Sequence, residues 1–216
     1  MKAFIFDMDG LMFDTERVYV EAWDHVGERM GYGKAGYMCL KTLGMNNAAC
    51  EQAWRDEFGD DVDLEALWRY SREFMQDYYS KYTVSVKKGL HDLLTYLKRK
   101  GYKLAVASST RRDEVERLLT SAYVRQYFDV VIGGDMVAQS KPEPDIYLKA
   151  AAALGVKPEE CYALEDSRNG LLSAHNAGCS VMMVPDLWQP DEDVLSFVIG
   201  PFGSLLDVRN WLIARQ

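Results

Sequence analysis

Two aspartates stand one residue apart near the start of the chain, directly after a run of apolar residues. They lie in the segment FIFDMDGLMFDTE, which runs from Phe4 to Glu16 and contains Asp7 and Asp9. A buried strand that ends on two carboxylates is unstable unless a cationic group neutralises them. We therefore expect a cationic group beside these aspartates.

Three more polar segments follow apolar runs or turns later in the chain. Ser108 and Ser109 come after KLAVA, Lys141 lies in QSKPEPDIY, and Glu165 and Asp166 come after CYAL. The ligand site of an open parallel α/β sheet lies beyond the carboxyl ends of its strands, so these groups are expected to converge with the aspartate pair. Four carboxylates in one small volume need a divalent cation, and oxygen ligands without histidine or thiolate favour magnesium.

A magnesium site of this kind indicates phosphoryl chemistry. Magnesium held by one or two carboxylates and completed by water usually also engages a phosphate group. An aspartate can act as nucleophile through an aspartyl-phosphate, and an acidic group two residues on can protonate the leaving oxygen and later deprotonate water. A lysine and backbone N–H groups would stabilise the charge on the phosphoryl oxygens.

Helices and strands alternate in the second part of the chain. Four leucines between Leu90 and Leu97 share one helical face before the predicted strand KLAVAS, and three further apolar runs, FDVVIG, CYALE and SVMMVP, are predicted strands with helices between them. Such repeats predict a parallel sheet that the first strand joins. The expected fold class is therefore α/β, with a Rossmann-like parallel sheet core, helices on both faces, and a small all-helical cap.

The segment between the first two predicted strands is helical by pattern. Apolar residues recur at helical spacing from Val18 to Met30 and from Leu64 to Tyr78, and a shorter helix is predicted from Ala48 to Phe58. The glycine-rich stretch GYGKAGYMCLKTLGMNN between them is predicted to be irregular. We expect residues 1–14 and 85–216 to form the catalytic core, and residues 15–84 to form an inserted helical cap above the carboxyl ends of the strands.

Composition and charge argue against several other classes of protein. The 216 residues carry a net charge of -8 at pH 7, which disfavours nucleic acid and anionic membranes as partners. No apolar run approaches the ~18 residues of a membrane span. The four cysteines show no CxxC spacing, and no secretory segment opens the chain. We expect a cytoplasmic monomer or weak homo-oligomer whose partner is a small phosphorylated metabolite.

The four polar segments resemble, in order, the motifs of the haloacid dehalogenase-like superfamily of phosphohydrolases. The matching stretches are DMDGLMFDTE, the hydroxyl after KLAVA, SKPEPDIY and ALEDSRNG, and the helical insertion resembles the cap domain of that family. One aspartate pair alone would be a weak signal, whereas four motifs in order are specific. DMDGLMFDTERVY and VMMVPD are similar in particular to phosphatases that act on sugar phosphates or on pseudouridine 5'-phosphate.

The resemblance implies a role for each matching residue. Asp7 would be the nucleophile and Asp9 the general acid and base, while Lys141 would offset the charge of nucleophile and phosphate. Ser108 would bind a phosphoryl oxygen, unless it caps the following helix instead. The implied magnesium ligands are Asp7, Asp9 through its backbone carbonyl, Glu165 and Asp166. The implied phosphate-binding groups are Ser108, Ser109, Lys141 and the backbone N–H groups of Met8 and Asp9.

Two alternatives to phosphomonoester hydrolysis stay open. A sugar-phosphate mutase similar to β-phosphoglucomutase shares the core and the cap, but it has a histidine at the position of Tyr19 and cations where this chain has Leu43 and Asn47. Lys34 or Lys41 would have to replace those cations. The other alternative is a catalytically silent protein that only binds a phosphate ligand. Hydrolysis of a sugar phosphate or a nucleoside monophosphate-like ester is the expected activity.

Overall fold

A single parallel sheet forms the centre of the computed structural model, which describes residues 1–45 and 47–215. The strands in this part of the chain are β1 Ala3–Phe6, β2 Lys103–Ala107, β3 Val130–Ile132, β4 Cys161–Glu165 and β5 Ser180–Met183. Their order is β3-β2-β1-β4-β5, and every neighbouring pair is parallel. The chain leaves β1 on one side towards β2 and returns on the other side as β4. The carboxyl end of β1 therefore lies where a ligand site is expected.

Helices make up most of the remaining described chain. They are α1 Thr15–Met30, α2 Met38–Thr42, α3 Asn47–Phe58, α4 Leu64–Lys81, α5 Leu90–Arg99, α6 Arg112–Ser121, α7 Asp145–Leu154, α8 Arg168–Asn176, α9 Glu192–Leu195 and α10 Leu205–Ile213. None of these described helices combines the length and the apolar character needed to cross a membrane.

Successive residues of β1 point to opposite faces of the sheet. Phe4 and Phe6 belong to an apolar layer that includes leucines of α5, α6 and α10, whereas Ala3 and Ile5 belong to a second layer built with α7 and α8. Strands that are buried on both faces read as continuous apolar runs, as the sequence of β1 does. The predicted α/β fold, with helices on both faces of a parallel sheet, is confirmed.

The chain between β1 and β2 contains α1 to α4, and we call residues 15–84 the cap segment. It has its own apolar cluster around Trp23, Trp54 and Leu67. Its two connections to the sheet run side by side: the N–H of Asp14 donates to the carbonyl of Ser85 at 2.9 Å, and that of Lys87 donates to the carbonyl of Met12 at 2.9 Å. The division of the chain into a core and a cap domain stays a prediction.

One part of the cap segment differs from the prediction. The stretch GYGKAGYMCLKTLGMNN, expected to be irregular, contains the short helix α2; its Asn46 lies outside the described residues. Met38 and Cys39 of this helix are buried in the apolar cluster of the cap segment. Burial of these two side chains stabilises a helical turn that glycine spacing alone does not indicate.

Candidate active site

Asp7 follows the last residue of β1 and is bound by a buried lysine. Lys141 Nζ donates to Asp7 Oδ1 at 2.6 Å and to Glu165 Oε1 at 2.5 Å, and its side chain is 1% exposed. Burial lowers the pKa of Lys141, but the two carboxylates outweigh this effect and raise it, so the lysine is charged. The cationic group expected beside the aspartates is therefore present, and it comes from a segment 134 residues away.

Glu165 ends β4 and accepts hydrogen bonds from four donors. Oε1 accepts from Lys141 and, at 2.5 Å, from the hydroxyl of Tyr147, while Oε2 accepts from the N–H of Asp166 at 3.3 Å and from Ser167 Oγ at 3.4 Å. A Cβ at Gly170 would lie 2.1 Å from this carboxylate, so glycine is needed there. The role of Glu165 as a magnesium ligand stays a prediction, and its contacts give it a further task, which is to hold Lys141 in place.

Sequence reasoning did not single out Tyr147. Its ring is fully buried, and its hydroxyl reaches Glu165 from the first turns of α7. Tyr147 is the last residue of QSKPEPDIY, but its position on the apolar side of a helix predicts only a core residue. The sequence does not indicate which group its hydroxyl contacts.

Asp166 completes a cluster of three buried carboxylates. Oxygens of Asp7, Glu165 and Asp166 lie within 4.8 Å of one another, and Asp166 Oδ1 is buried with no hydrogen-bond partner among the described residues. Burial raises the pKa of Asp166 well above its ordinary value, and the Glu16, Asp7 and Glu165 carboxylates raise it further. A buried, unpaired carboxylate oxygen beside other carboxylates suits a hard divalent cation, so the donor set fits magnesium.

Gly10 lets the chain turn against this cluster. Its φ is +75°, a left-handed conformation that favours glycine, and a Cβ there would lie 2.2 Å from Asp166 Oδ2. The turn that contains Gly10 is closed by the carbonyl of Met8, which accepts from the N–H groups of Met12 and Phe13. The binding of phosphate by the N–H groups of Met8 and Asp9 stays a prediction.

Asp9 is oriented by three hydroxyl groups. Its Oδ1 accepts from Thr15 at 2.8 Å, and its Oδ2 accepts from Thr110 at 2.8 Å and from Ser108 at 3.2 Å. Burial raises the pKa of Asp9, and these three hydrogen bonds oppose the rise without cancelling it. A carboxyl group with a raised pKa keeps its proton at a higher pH, as a general acid must.

The two serines after β2 have different surroundings. Ser108 Oγ donates to Asp9 and accepts from the N–H of Thr110 at 3.0 Å. It does not cap α6, which begins at Arg112. Ser109 Oγ donates to the carbonyl of Gly44 in the cap segment at 2.9 Å and also lines the cavity described next. The phosphate-binding roles of both serines stay predictions.

A cavity of about 130 Å³ lies between the sheet edge and the cap segment. Asp7, Asp9 and Asp166 line it from the core. Three cap positions singled out from the sequence, Tyr19, Leu43 and Asn47, line it as well. Among the described lining residues there is no lysine, arginine or histidine. Lys41, considered as a replacement cation, pairs instead with Glu57 near the ring of Tyr37 on the surface.

Glu16 is a second unpaired carboxylate in the cavity wall. It is 4% exposed, and its Oε2 is buried with no hydrogen-bond partner among the described residues. Burial raises the pKa of Glu16 to about 9, with contributions from the Asp186, Asp9 and Asp7 carboxylates. The sequence places Glu16 at the start of the predicted cap, and no catalytic or binding role was predicted for it. An acidic residue in the first turn of a helix is expected because it interacts favourably with the helix dipole, so its presence there does not indicate a second role.

The chain is similar to known proteins over most of its length. The family model "Haloacid dehalogenase-like hydrolase" matches residues 4–184. A phosphorylated carbohydrates phosphatase of Thermotoga maritima is 33% identical over 82% of this chain and 82% of the relative. The β-phosphoglucomutase of Bacillus subtilis is 30% identical over 82% of this chain and 80% of the relative.

A solved structure extends the similarity to three dimensions. CbbY from Rhodobacter sphaeroides, crystallised in complex with xylulose-(1,5)bisphosphate, has a TM-score of 0.81 and 30% sequence identity, and the match covers 96% of each chain. The matching region contains all four motifs, in the order that the sequence predicts. The chain belongs to the haloacid dehalogenase-like hydrolase family.

Proposed function

We propose that this protein is a magnesium-dependent phosphatase that hydrolyses a small phosphomonoester through an aspartyl-phosphate on Asp7. The observation that carries the proposal is the pairing of Asp7 with the buried Lys141, beside an unpaired oxygen of Asp166 and at the wall of a cavity. A phosphoric monoester hydrolase is also the activity class that the named phosphatase relatives support. The partner is then a small phosphorylated metabolite.

The carboxylate cluster would hold the metal ion. Asp7, Asp166 and the backbone carbonyl of Asp9 are the proposed ligands, with Glu165 at the edge of the set because donors already occupy its oxygens. Magnesium bound there would neutralise these carboxylates and stabilise negative charge on the phosphoryl oxygens.

In the first step Asp7 would attack phosphorus. Lys141 binds Oδ1, and among the described residues none donates a hydrogen bond to Oδ2, which makes Oδ2 the proposed attacking atom. The P–O bond to the leaving group breaks as the new P–O bond to Asp7 forms. Asp9 would give its proton to the leaving oxygen, and its raised pKa supports this role.

In the second step Asp9 would take a proton from water. The activated water attacks the phosphorus of the aspartyl-phosphate, inorganic phosphate leaves, and the Asp7 carboxylate is restored. Thr15, in the cap segment, donates to Asp9 Oδ1, and Thr110, in the segment after β2, donates to Asp9 Oδ2. Their hydrogen bonds keep Asp9 aimed in both steps.

A panel of phosphate esters tests this function directly. Purified protein is assayed for release of inorganic phosphate from sugar phosphates, glycerol phosphate, nucleoside monophosphates and p-nitrophenyl phosphate, with magnesium and with EDTA. We expect release from at least one small ester, and loss of that release in EDTA. No release from any ester in magnesium would contradict the proposal and favour a silent binding protein.

A sugar-phosphate mutase is the second candidate, because a β-phosphoglucomutase is among the relatives. Such an enzyme returns the phosphate to a bound sugar and needs priming by a bisphosphate. Phosphorus NMR of a sugar 1-phosphate incubated with the protein separates the two activities. A phosphatase yields inorganic phosphate, whereas a mutase yields the isomeric sugar phosphate.

A further inference from the structure

Two cysteines lie side by side at the end of the sheet opposite the candidate active site. Cys161 begins β4, and Cys179 immediately precedes β5. Tyr162 of β4 pairs with Ser180 of β5 in parallel register, so the two cysteines are neighbours one step earlier along the same two strands. Because every strand pair is parallel, this end carries the amino ends of the strands, whereas the candidate active site lies at their carboxyl ends.

The side chains of these cysteines are buried on the same face of the sheet. Residues in register on neighbouring parallel strands point to one face, and both thiols belong to the apolar layer built with α7 and α8. Neighbouring strands lie about 4.8 Å apart, within the roughly 4.4–6.8 Å that separates the Cα atoms of a disulfide. Cys161 Sγ also donates to the carbonyl of Lys157 at 3.4 Å. The spacing and the shared face therefore suit an S–S bond.

We propose that Cys161 and Cys179 are a reversible oxidation site, at which a hydroperoxide converts the two thiols into a disulfide bond that stabilises the fold. The site is independent of the phosphatase function proposed above, because neither cysteine takes part in that reaction. A reducing thiol such as dithiothreitol restores the two thiols by exchange.

A hydrogen bond between the two sulfur atoms prepares the first step. Cys179 Sγ–H donates to the Cys161 sulfur, which lowers the pKa of Cys161 and raises that of Cys179. Cys161 is therefore the proposed nucleophile, since the thiolate is the reactive form. It attacks one oxygen of the hydroperoxide, and the O–O bond breaks. The remaining oxygen takes up a proton and leaves as an alcohol or water, and Cys161 becomes a sulfenic acid.

Cys179 completes the bond in the second step. Its sulfur attacks the sulfenic sulfur of Cys161, the S–S bond forms and the S–O bond breaks. The hydroxide leaves as water with the proton that Cys179 loses. Two thiols are oxidised by one electron pair in total, and one hydroperoxide is reduced.

The pair lies directly beneath the protein surface. Cys179 is 7% exposed, and Cys161 is fully buried. Lys157, Glu159 and Gly178, which lie next to the pair, are exposed. A small hydroperoxide therefore needs only a local opening of the chain at this end of the sheet. We expect oxidation to take on the order of minutes to hours.

The bond would close a loop that contains part of the candidate active site. Residues 161–179 include β4, α8 and two members of the carboxylate cluster, Glu165 and Asp166. A disulfide that closes a loop of this length stabilises a protein mainly by restricting the unfolded chain. For a chain of this size we expect a melting temperature about 5–10 °C higher.

Peptide mapping tests the bond directly. Each cysteine lies in a separate tryptic peptide, and these peptides are residues 35–41, 42–55, 150–168 and 169–209. After treatment with hydrogen peroxide and alkylation of the remaining thiols, peptide 150–168 should be linked to peptide 169–209, and dithiothreitol should separate them. The thiols titrated in denaturant should fall from four, the number in the sequence, to about two. A non-reducing gel should show the mass of a single chain.

The two thiols of the cap segment are the internal control for selectivity. Burial raises the pKa of Cys39 and of Cys50 to about 12, so both should remain free in the same digest.

Thermal melts test the stabilisation. Oxidised wild type should melt about 5–10 °C above the reduced protein, and dithiothreitol should remove the difference. Cys161→Ala should abolish the difference, whereas the double variant Cys39→Ala/Cys50→Ala should keep it. A buried substitution can lower the melting temperature by itself, so the oxidised and reduced samples of one variant are compared with each other.

Three results would overturn the proposal. These are a thiol count that stays at four, a linkage that joins any other pair of cysteines, and an S–S bond that leaves the melting temperature unchanged or lower. None of these tests measures phosphate release, so the failure of the oxidation site and the failure of the phosphatase function are distinguishable.

Discussion

The two walls of the cavity differ in how their side chains are held. The core wall is formed by Asp7, Asp9, Ser109, Thr110, Asp166 and Ser167. The cap wall is formed by the lining residues of the cap segment, which are Glu16, Tyr19, Trp23, Cys39, Thr42, Leu43, Gly44, Met45, Asn47, Cys50 and Trp68.

On the core wall, Lys141 binds the carboxylate of Asp7, and three hydroxyl groups bind that of Asp9. These donors come from the segments after β2 and β3 and from the first residue of α1. The cap wall includes three aromatic rings, two thiols and Glu16, whose Oε2 has no partner in the described chain. The proposed nucleophile and the proposed acid are therefore held by hydrogen bonds, whereas the wall that would meet the leaving group is mostly apolar.

The thiols of the cap wall illustrate the difference. Burial raises the pKa of Cys39 and of Cys50 to about 12, so both are protonated near neutral pH and behave as small apolar groups. Charge stabilisation in a transition state needs groups that are already oriented before the reaction. Contact with a leaving group needs mainly shape, so this wall can change without loss of the chemistry.

The largest effect is expected from removing the proposed nucleophile. Asp7→Asn should lower kcat about 10⁴-fold or more, because an amide is a poor nucleophile and the Glu165 carboxylate, which Lys141 also binds, already accepts hydrogen bonds from other donors at both oxygens. Asp92→Asn, at an exposed ion pair with Arg209, is the matched control and should keep full activity. Steady-state phosphate release measures both. Substantial turnover in a folded Asp7→Asn protein would exclude Asp7 as nucleophile.

Gly10→Ala should break the core wall sterically. Its Cβ would overlap Asp166 Oδ2, so we expect about 100-fold lower activity and a loss of folding free energy of about 2 kcal/mol or more. Gly31→Ala is the control, since Gly31 has a similar φ of +83° and no atom within 4 Å of a new Cβ. It should cost only about 1 kcal/mol, the penalty of the backbone conformation. Equal effects of the two changes in thermal melts would show that contact with Asp166 is unimportant.

Tyr147→Phe tests the second layer of the core wall. Loss of the hydroxyl leaves Glu165 with one donor fewer beside Lys141, and we expect about tenfold lower kcat and a loss of about 1–2 kcal/mol in stability. Tyr127→Phe removes a hydroxyl that contacts Thr95 on the surface and should leave kcat unchanged. If both variants match wild type, the phenol does not position Lys141.

Glu16, the carboxylate of the cap wall, should make the stability of the protein depend on pH. The folded pKa of Glu16, about 9, lies above its ordinary value of 4.5, so its contribution to stability is complete below 4.5 and is lost as the pH rises towards 9. In metal-free buffer Glu16→Gln should therefore melt several degrees above wild type at pH 9, with a difference that shrinks towards pH 5. Glu192→Gln, at an exposed position, is the matched control. A constant difference across this range would contradict the pKa shift.

The smallest effect is expected where the two walls touch. Asn169 Nδ2 donates to the carbonyl of Leu43 at 3.0 Å, a contact between α8 and the cap segment. Asn169→Ala should raise KM about threefold and leave kcat unchanged, because only a contact between the cap segment and the core is lost. Asn176→Ala, at an exposed contact within the core, is the control. A fall in kcat rather than a rise in KM would mean that Asn169 acts on the core wall.

Much of the core wall follows from the sequence alone. Apolar runs that end in Asp7, Ser108 and Glu165 predict parallel strands, and parallel strands bring their carboxyl ends to one edge. This rule places residues that are far apart in the chain without any knowledge of side-chain geometry. It also explains why the fold class could be predicted, whereas the family was predicted from the resemblance of the four ordered motifs.

Periodicity and charge are local properties of the chain, so the sheet, its polar edge and the need for a cation beside the aspartates could be predicted from the residues alone. Three other features became apparent only in the folded chain: Tyr147 supports Glu165, α2 forms, and Glu16 lies unpaired in the cavity wall. Each of these depends on which atoms from separate segments come within hydrogen-bond distance or exclude water from one another. Such contacts arise from packing between elements, and no pattern within a single element specifies them.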